Sequence, residues 1–349
     1  AYLFFDEIQE VPKALTSLKY FHENAPQYAI VAAGSLLGVA LHQGTSFPVG
    51  KVDFLDLYPL NFREFLCAMG EKQFVSMLDS CDTQMVTVFK TKYIERLREY
   101  YFVGGMPEVV KDFSEKKDYN RVRVIQKNLI NYYQQDFSKH AEIKLVPRLN
   151  LVWNSIPMQL AKENKKYIYG QVREGSRAKD FELAIQWLLD CGLIHKVQRI
   201  QKPDLPLKAY IDFDAFKLFL VDIGLLIAMT DLDAKVIIEG NKIFTEFNGS
   251  LTEQYILQQL ISDVGVIPYY YSTQNSKGEI DFLVQGKTSV IPIEVKAEEN
   301  LKAKSLKAFC EKYQPSYAVR TSMSDYREQD WMTNIPLYAI KWIENYVNQ

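Results

Sequence analysis

The sequence predicts an α/β protein of more than one domain, and three observations carry that prediction. Residues 1 to about 66 alternate apolar, strand-like runs with one helix-like run. From about 70 to 230, aromatic, Leu and Ile positions recur at helical spacing. From about 235 onward, short apolar runs of period two return between helical stretches. A length of 349 residues accommodates two or three domains, and the changes of pattern divide the chain into 1–68, 69–234 and 235–349.

The formal net charge of −2 leaves no global basic field to draw nucleic acid or an acidic membrane, so any such contact must be local. No apolar run approaches the roughly 18 residues of a membrane helix, and no membrane partner is expected. The opening "AYLFFDEIQE" has neither a basic leader nor a small-residue cleavage site. It also lacks an initiator Met, so the chain is expected to be part of something longer. Cys67, Cys81, Cys191 and Cys310 form no C-x-x-C pair, which argues against a disulfide framework or zinc ribbon. Scattered thiols fit a reducing cytoplasm. His22, His42, His140 and His195 stand isolated and read as structural.

At the amino-terminal end, "YLFF", "PKALTSLKYFHENA" and "YAIVAAG" give a β-α-β rhythm, for which a parallel pair with a right-handed crossover is expected. The first strand runs into Asp6-Glu7. In P-loop NTPases a buried strand ends in such a pair: the aspartate helps hold Mg²⁺, and the glutamate can polarise the attacking water. Ser35, at the tip of the second strand, stands where a polar sensor would meet the γ-phosphate. The plainer reading has Asp6 capping a helix that begins near Ile8.

The middle region contains "SRAKDFELAIQWLLDCGLIHKVQRIQKP". Ala184, Ile185, Leu188 and Leu189 mark one helical face, Gly192 is a stop signal, and "LIHKVQRI" alternates like a strand. Helices followed by a β ribbon outline a winged helix over about 145–214. Between Ala161 and Lys208, ten Lys/Arg stand against six acids. Such a module could set a helix in a DNA major groove, with Arg173, Arg177 and Lys179 on phosphates. Equally, it could dock a protein. Trp153, Trp187 and Phe181 read as core.

The third region centres on "GEIDFLVQGKTSVIPIEVKAEEN". Period two places Ile280, Phe282 and Val284 on one face and Glu279 and Asp281 on the other. In the next run Ile291, Ile293 and Val295 oppose Glu294 and Lys296. "QGKT" signals a turn, so an antiparallel hairpin is expected, with Asp281 and Glu294 roughly 5–8 Å apart. Two carboxylates at that separation suit Mg²⁺, and Lys296 could orient water or stabilise charge on a phosphate. The bland alternative is a surface ion pair between Glu294 and Lys296. Gly286-Lys287-Thr288 is not a phosphate loop, because the G-x-x-x-x-G-K-[ST] pattern would need glycine at position 281, which is aspartate.

Asp281 followed by Glu294-Val295-Lys296 resembles the PD-(D/E)XK nuclease signature. That resemblance implies a further acid on the preceding helix, for which Glu253 in "SLTEQYI" stands in place. Ser250-x-x-Glu253 is also a capping box, which would leave Glu253 serving only its helix. On a larger scale, "DEIQ", "AAGSLL", "LYPLNFREFL", "YFVGGMPEVV", "FKLFLVDIGLL" and the hairpin resemble, in order, the landmarks of predicted prokaryotic AAA-superfamily ATPases with a carboxy-terminal domain of unknown function and restriction-endonuclease-like fold. The resemblance implies a partial P-loop NTPase (AAA-like) parallel sheet, a helical and winged-helix middle, and a nuclease-like α/β domain. It implies ATP and Mg²⁺ as cofactors, Asp6, Glu7 and Ser35 at the nucleotide, and Glu253, Asp281, Glu294 and Lys296 at a phosphodiester. Asp6, Glu253, Asp281 and Glu294 would be the metal ligands. Nucleic acid, with DNA favoured, is the implied partner, and such ATPases often assemble into homo-oligomers.

Two departures qualify the resemblance. No Walker A loop occurs, so ATP binding is expected of the full-length protein only, with the loop upstream of Ala1. Gly50-Lys51 also replaces the family's Gly-Arg, and lysine lacks the bidentate fork of arginine. Two functions follow from the whole: an ATP-driven protein with Mg²⁺-dependent nuclease chemistry, or an ATP-dependent switch or DNA- or protein-binding module whose nuclease-like domain does not cut.

Overall fold

The computed structural model describes residues 2–35, 37–38, 50–162, 165–239, 245–273, 278–297 and 303–349; His42 lies outside them. The chain opens with β1 (Tyr2–Phe5), α1 (Pro12–Asn24) and β2 (Ala29–Ala32). The two strands pair in parallel with Tyr2 against Ala29 and Phe5 against Ala32, as the β-α-β rhythm predicts. Proline at the first position of α1 costs no hydrogen bond there. Ile8, Leu15 and Leu18 form a small core beneath the pair.

A helical layer follows: α2 (Phe62–Ala68), α3 (Lys72–Asp79), α4 (Thr83–Val88), α5 (Lys90–Val103), α6 (Pro107–Lys116), α7 (Tyr119–His140), α8 (Val146–Leu160), α9 (Tyr169–Val172) and α10 (Ala178–Asp190). Side chains set several starts. Asn61 and Glu64 make a reciprocal capping box on α2, and Asp118 accepts from the Asn120 and Arg121 N–H groups at the head of α7. Trp153, Phe181 and Trp187 are buried in the core, as expected.

The ribbon after α10 is β3 (Ile194–Ile200) against β4 (Ile211–Leu220), antiparallel with a bulge at Gln198/Arg199. It is not a free-standing wing, because β3 also pairs in parallel with β5 (Tyr269–Ser272). Between them lie α11 (Ile223–Met229), α12 (Ala234–Ile238) and α13 (Thr245–Gln259). Beyond β5 come β6 (Glu279–Gln285), β7 (Val290–Val295), α14 (Lys304–Tyr313), β8 (Val319–Ser322), β9 (Arg327–Gln329), β10 (Met332–Pro336) and α15 (Glu344–Val347). One mixed eight-stranded sheet results, in the order β4-β3-β5-β6-β7-β8-β10-β9, and it spans position 235. β10 ends at Pro336, and Leu337–Ile343 turns as a 3₁₀ helix. No helix among the described residues is long and apolar enough to cross a membrane.

The sheet and the helical layer meet along α13, every residue of which is buried from Ser250 to Gln259. Its buried glutamines close a polar knot centred on Asp222. The Asp222 carboxylate accepts from the Gly105 N–H at 2.6 Å, the Leu225 N–H at 3.0 Å and the Gln258 amide at 3.2 Å. Gln254 both donates to and accepts from the Leu220 backbone. Gln259 accepts from the Phe62 N–H at 2.8 Å. Gln258 and Gln259 donate to the Tyr100 hydroxyl, which donates to the Leu60 carbonyl at 2.6 Å.

The tandem glycines of "YFVGGMPEVV" belong to this knot. Gly104 has φ +75°, and a Cβ there would lie 2.2 Å from Asp222 Oδ1. Asp222→Ala would leave two buried N–H groups and an amide hydrogen without an acceptor, at about 1–3 kcal/mol each. A fall in the urea midpoint corresponding to about 3 kcal/mol or more is expected. Gly104→Ala is expected to lower the midpoint well beyond Gly70→Ala. Gly70 shares the positive φ but has no atom within 4 Å of an added Cβ, so only about 1–2 kcal/mol of backbone cost applies there. Equal midpoints for the two variants would contradict this account of the double glycine.

Candidate functional site

The β6–β7 hairpin turns at Gly286, whose N–H donates to the Ser289 carbonyl. Gly286-Lys287-Thr288 is therefore a turn. The last paired rung is Phe282 with Ile293, so the next position along brings Asp281 opposite Glu294. There the ladder opens and the Asp281 carboxylate continues it, accepting from the Val295 N–H at 2.7 Å. Glu294 is in register with Arg320 of β8. Lys296 is held by its own N–H on the Thr321 carbonyl, and its ammonium lies 2.6 Å from Glu294 Oε1.

Glu253 arrives on α13, close enough to Asp281 that its charge raises the Asp281 carboxyl. Because α13 begins at Thr245, Ser250 stands inside the helix and its hydroxyl donates to the Leu160 carbonyl. The capping-box alternative for Glu253 is thereby overturned. All four acid and lysine positions read from the sequence, Glu253, Asp281, Glu294 and Lys296, gather at one end of the hairpin. Glu294 and Lys296 pair as the bland reading has it, but on a buried carboxylate rather than a solvated face.

Two lysines that sequence reasoning missed complete the cluster. Lys165, one of the ten basic residues between Ala161 and Lys208, is hydrogen-bonded to Glu253 Oε1. Lys217, from the middle of β4, has a side chain with 0% exposure; its ammonium lies 2.5 Å from Glu279 Oε1 and 3.7 Å from Glu253 Oε2. Lys217 had a legible signal, since a charge inside "FKLFLV" is as anomalous as Asp281 inside "EIDFLV". Lys165 had none.

Burial and the neighbouring Glu253 and Glu294 charges push the Asp281 carboxyl well above its ordinary range. Burial raises Glu294 as well, against the pull of Lys296. Glu253 is lowered despite its burial, because Lys165 and Lys217 flank it. Lys217 is held above its usual value by Glu253, Glu279 and Asp281, against the cost of burial. Three ammonium groups thus face four carboxyls, of which Asp281 favours its protonated form. Such a set carries little net negative charge for a divalent ion, which prefers several ionised oxygens. Among the described residues no group of three or more His, Cys, Asp or Glu is placed to hold a metal. In this arrangement lysine ammonium groups stand against the carboxylates.

At the carboxyl ends of β1 and β2, Asp6, Glu7 and Ser35 are exposed. Asp6 accepts from the Glu7 N–H at 3.1 Å. It does not cap a helix: the 3₁₀ turn Ile8–Glu10 starts from Glu7, and α1 from Val11, neither with a side-chain cap. Glu7 adopts a left-handed conformation, φ 47°, a costly one for a residue with a Cβ. It accepts from the Ser35 hydroxyl at 3.1 Å and from the Ser35 N–H at 3.3 Å. Its carboxyl is lowered by the Gln9 amide and then by Ser35. The acid and the polar residue, 28 positions apart, therefore meet at the strand ends where ligands of open α/β sheets bind. Lys51 lies 3.8 Å from Glu23.

Of the basic middle region, Lys165, Arg199 and Lys202 are spent on Glu253, Asp212 and Asp204. Arg173, Arg177 and Lys179 are exposed at and just before the head of α10.

Compared with known families, residues 1–66 match the model of an AAA domain, residues 94–236 that of a domain of unknown function (DUF8612), and residues 248–340 that of another domain of unknown function (DUF4143). No curated protein and no solved structure matched. The AAA match supports an ATPase-type function and nucleotide binding, with ATP as the nucleotide.

The raised Asp281 carboxyl makes a directional prediction. Below the ordinary carboxyl range, folded and unfolded chains both hold this proton. Above it the unfolded chain releases the proton while the folded chain keeps it, so this group costs stability as pH rises. Asp281→Asn, which can still accept from Val295, is expected to melt higher than the parent at pH 7. The gap should close toward pH 4. A lower melting temperature at pH 7 would show that the carboxylate is ionised and needed.

Proposed function

We propose that this chain is part of an AAA-type, ATP-responsive switch whose carboxy-terminal α/β region is a nuclease-like module that engages a partner rather than cutting it. One observation carries the reading: α13 serves two places at once. Gln259 and Gln258 hold Phe62 and, through Tyr100, Leu60, at the end of the AAA-type segment. Five residues before Gln258, Glu253 belongs to the acid–lysine cluster. A shift of Leu60–Phe62 on nucleotide binding would be felt by α13 through these hydrogen bonds, giving the two places a coupling free energy. Exposed Arg173, Arg177 and Lys179 supply positive charge for nucleic acid, with DNA favoured. Neutralising any one of these three that sits on a phosphate should reduce the salt slope of binding by about 1.

The test uses the chain joined to an upstream phosphate loop. With a non-hydrolysable ATP analogue bound, hydrogen exchange is expected to change in residues 250–260 and 279–296 as well as near Glu7 and Ser35. Gln259→Ala should confine the change to the amino-terminal part. Bound nucleotide with no change beyond residue 66 would remove the switch.

The convergence of Glu253, Asp281, Glu294 and Lys296 favours a second reading, Mg²⁺-dependent phosphodiester hydrolysis. Incubation of DNA and RNA with Mg²⁺ or Mn²⁺ separates the two. The switch predicts no cleavage above the Lys296→Ala background, whereas cleavage that disappears in Lys296→Ala would put hydrolysis first.

A further inference from the structure

We propose that the Lys217 ammonium is the resident cation of the carboxylate cluster and closes it to divalent metal ions. Two strands, β3 and β5, lie between β4 and β6 in the sheet. Even so, Lys217 reaches across them beneath α13, over the Tyr270 ring at 4.8 Å from its centroid, to end between Glu279 and Glu253. A lysine stem has full rotamer freedom to leave such a site for water, yet none of this side chain is exposed. The ammonium joins oxygens from a helix and a strand, which is the task a bound ion performs in a carboxylate cage.

The surroundings agree. Lys165 takes the other Glu253 oxygen, and Lys296 takes Glu294 Oε1. Glu253 Oε2 and Glu294 Oε2, on residues only 6% and 5% exposed, have no hydrogen-bond donor among the described residues. These two oxygens are what a metal would use, and Lys217 stands beside the first. A divalent ion entering here would have to sit against an ammonium whose side chain is 0% exposed. Removing that ammonium should turn the same oxygens into a cation site.

Mn²⁺ alone is the probe, titrated into the full chain and followed by calorimetry and by the loss of free Mn²⁺ in electron paramagnetic resonance. No saturable binding is expected for the parent chain below about 1 mM. Lys217→Met keeps the unbranched stem, and its binding is expected to tighten by at least about tenfold; Lys217→Met/Glu294→Gln should lose it again. If Lys217→Met fails to fold because Glu279 is left without its partner, Lys217→Met/Glu279→Gln removes that charge and decides in the same way. Saturable Mn²⁺ binding by the parent chain that Glu294→Gln abolishes would overturn the proposal. So would a folded Lys217 variant that binds no more tightly than the parent. Binding is read without nucleotide and without cleavage, so failure here is separate from failure of the switch.

Discussion

The fold depends on one buried carboxylate. Asp222 follows β4, caps α11 and receives N–H groups from three separate stretches of chain. Burial pushes its carboxyl upward, and the donors from Gly105, Leu225, Gln258 and Gly224 restrain that push. A buried acid is tolerable only while such donors stay in place, so it demands that the Gly104–Gly105 turn, the head of α11 and the glutamine row of α13 keep one mutual arrangement. Gly104 is glycine because an added Cβ would strike the carboxylate. Leu60 and Phe62 are drawn in through Tyr100 and Gln259. Segments that look unrelated along the chain are thus the several walls of one polar knot.

The acid–lysine cluster obeys the same rule with charges in place of N–H groups. Four carboxyls come from α13, β6 and β7, and three ammonium groups come from β4, the stretch after α8, and the end of β7. Carboxylates this close raise one another, and protonation of one together with cations for the rest is the way such a group becomes stable in a desolvated place. The knot and the cluster lie on consecutive turns of α13. On the proposed switch, an event near Leu60 would reach the hairpin through this helix.

At the amino-terminal end the physics is local. Parallel pairing brings the ends of β1 and β2 level, and the left-handed Glu7 turns its carboxylate onto Ser35. The Gln9 and Ser35 donors hold that carboxyl below its ordinary range. An ionised acid and a hydroxyl at the carboxyl ends of parallel strands are the groups a nucleotide phosphate and its cation would meet, in keeping with the AAA match of residues 1–66.

Much of this was legible in the sequence. Alternation with period two follows from the covalent geometry of a strand, so the faces of "EIDFLV" and "VIPIEV", the turn between them and the facing of Asp281 and Glu294 could be read directly. The β-α-β start could be read in the same way. Tertiary structure alone decided the rest. Glu253 could be separated from a helix cap only once α13 was seen to begin at Thr245. Gln254, Gln258 and Gln259 look in sequence like the wet side of a helix, and they are buried because three other segments supply partners for them. The ribbon at 194–220 reads as a wing until the order of strands is known, and that order is set by pairing between distant residues. Lys217 meets Glu279 from 62 positions away. Which ammonium answers which carboxylate depends on desolvation and on which strands become neighbours, and neither is written in the spacing of residues along a chain.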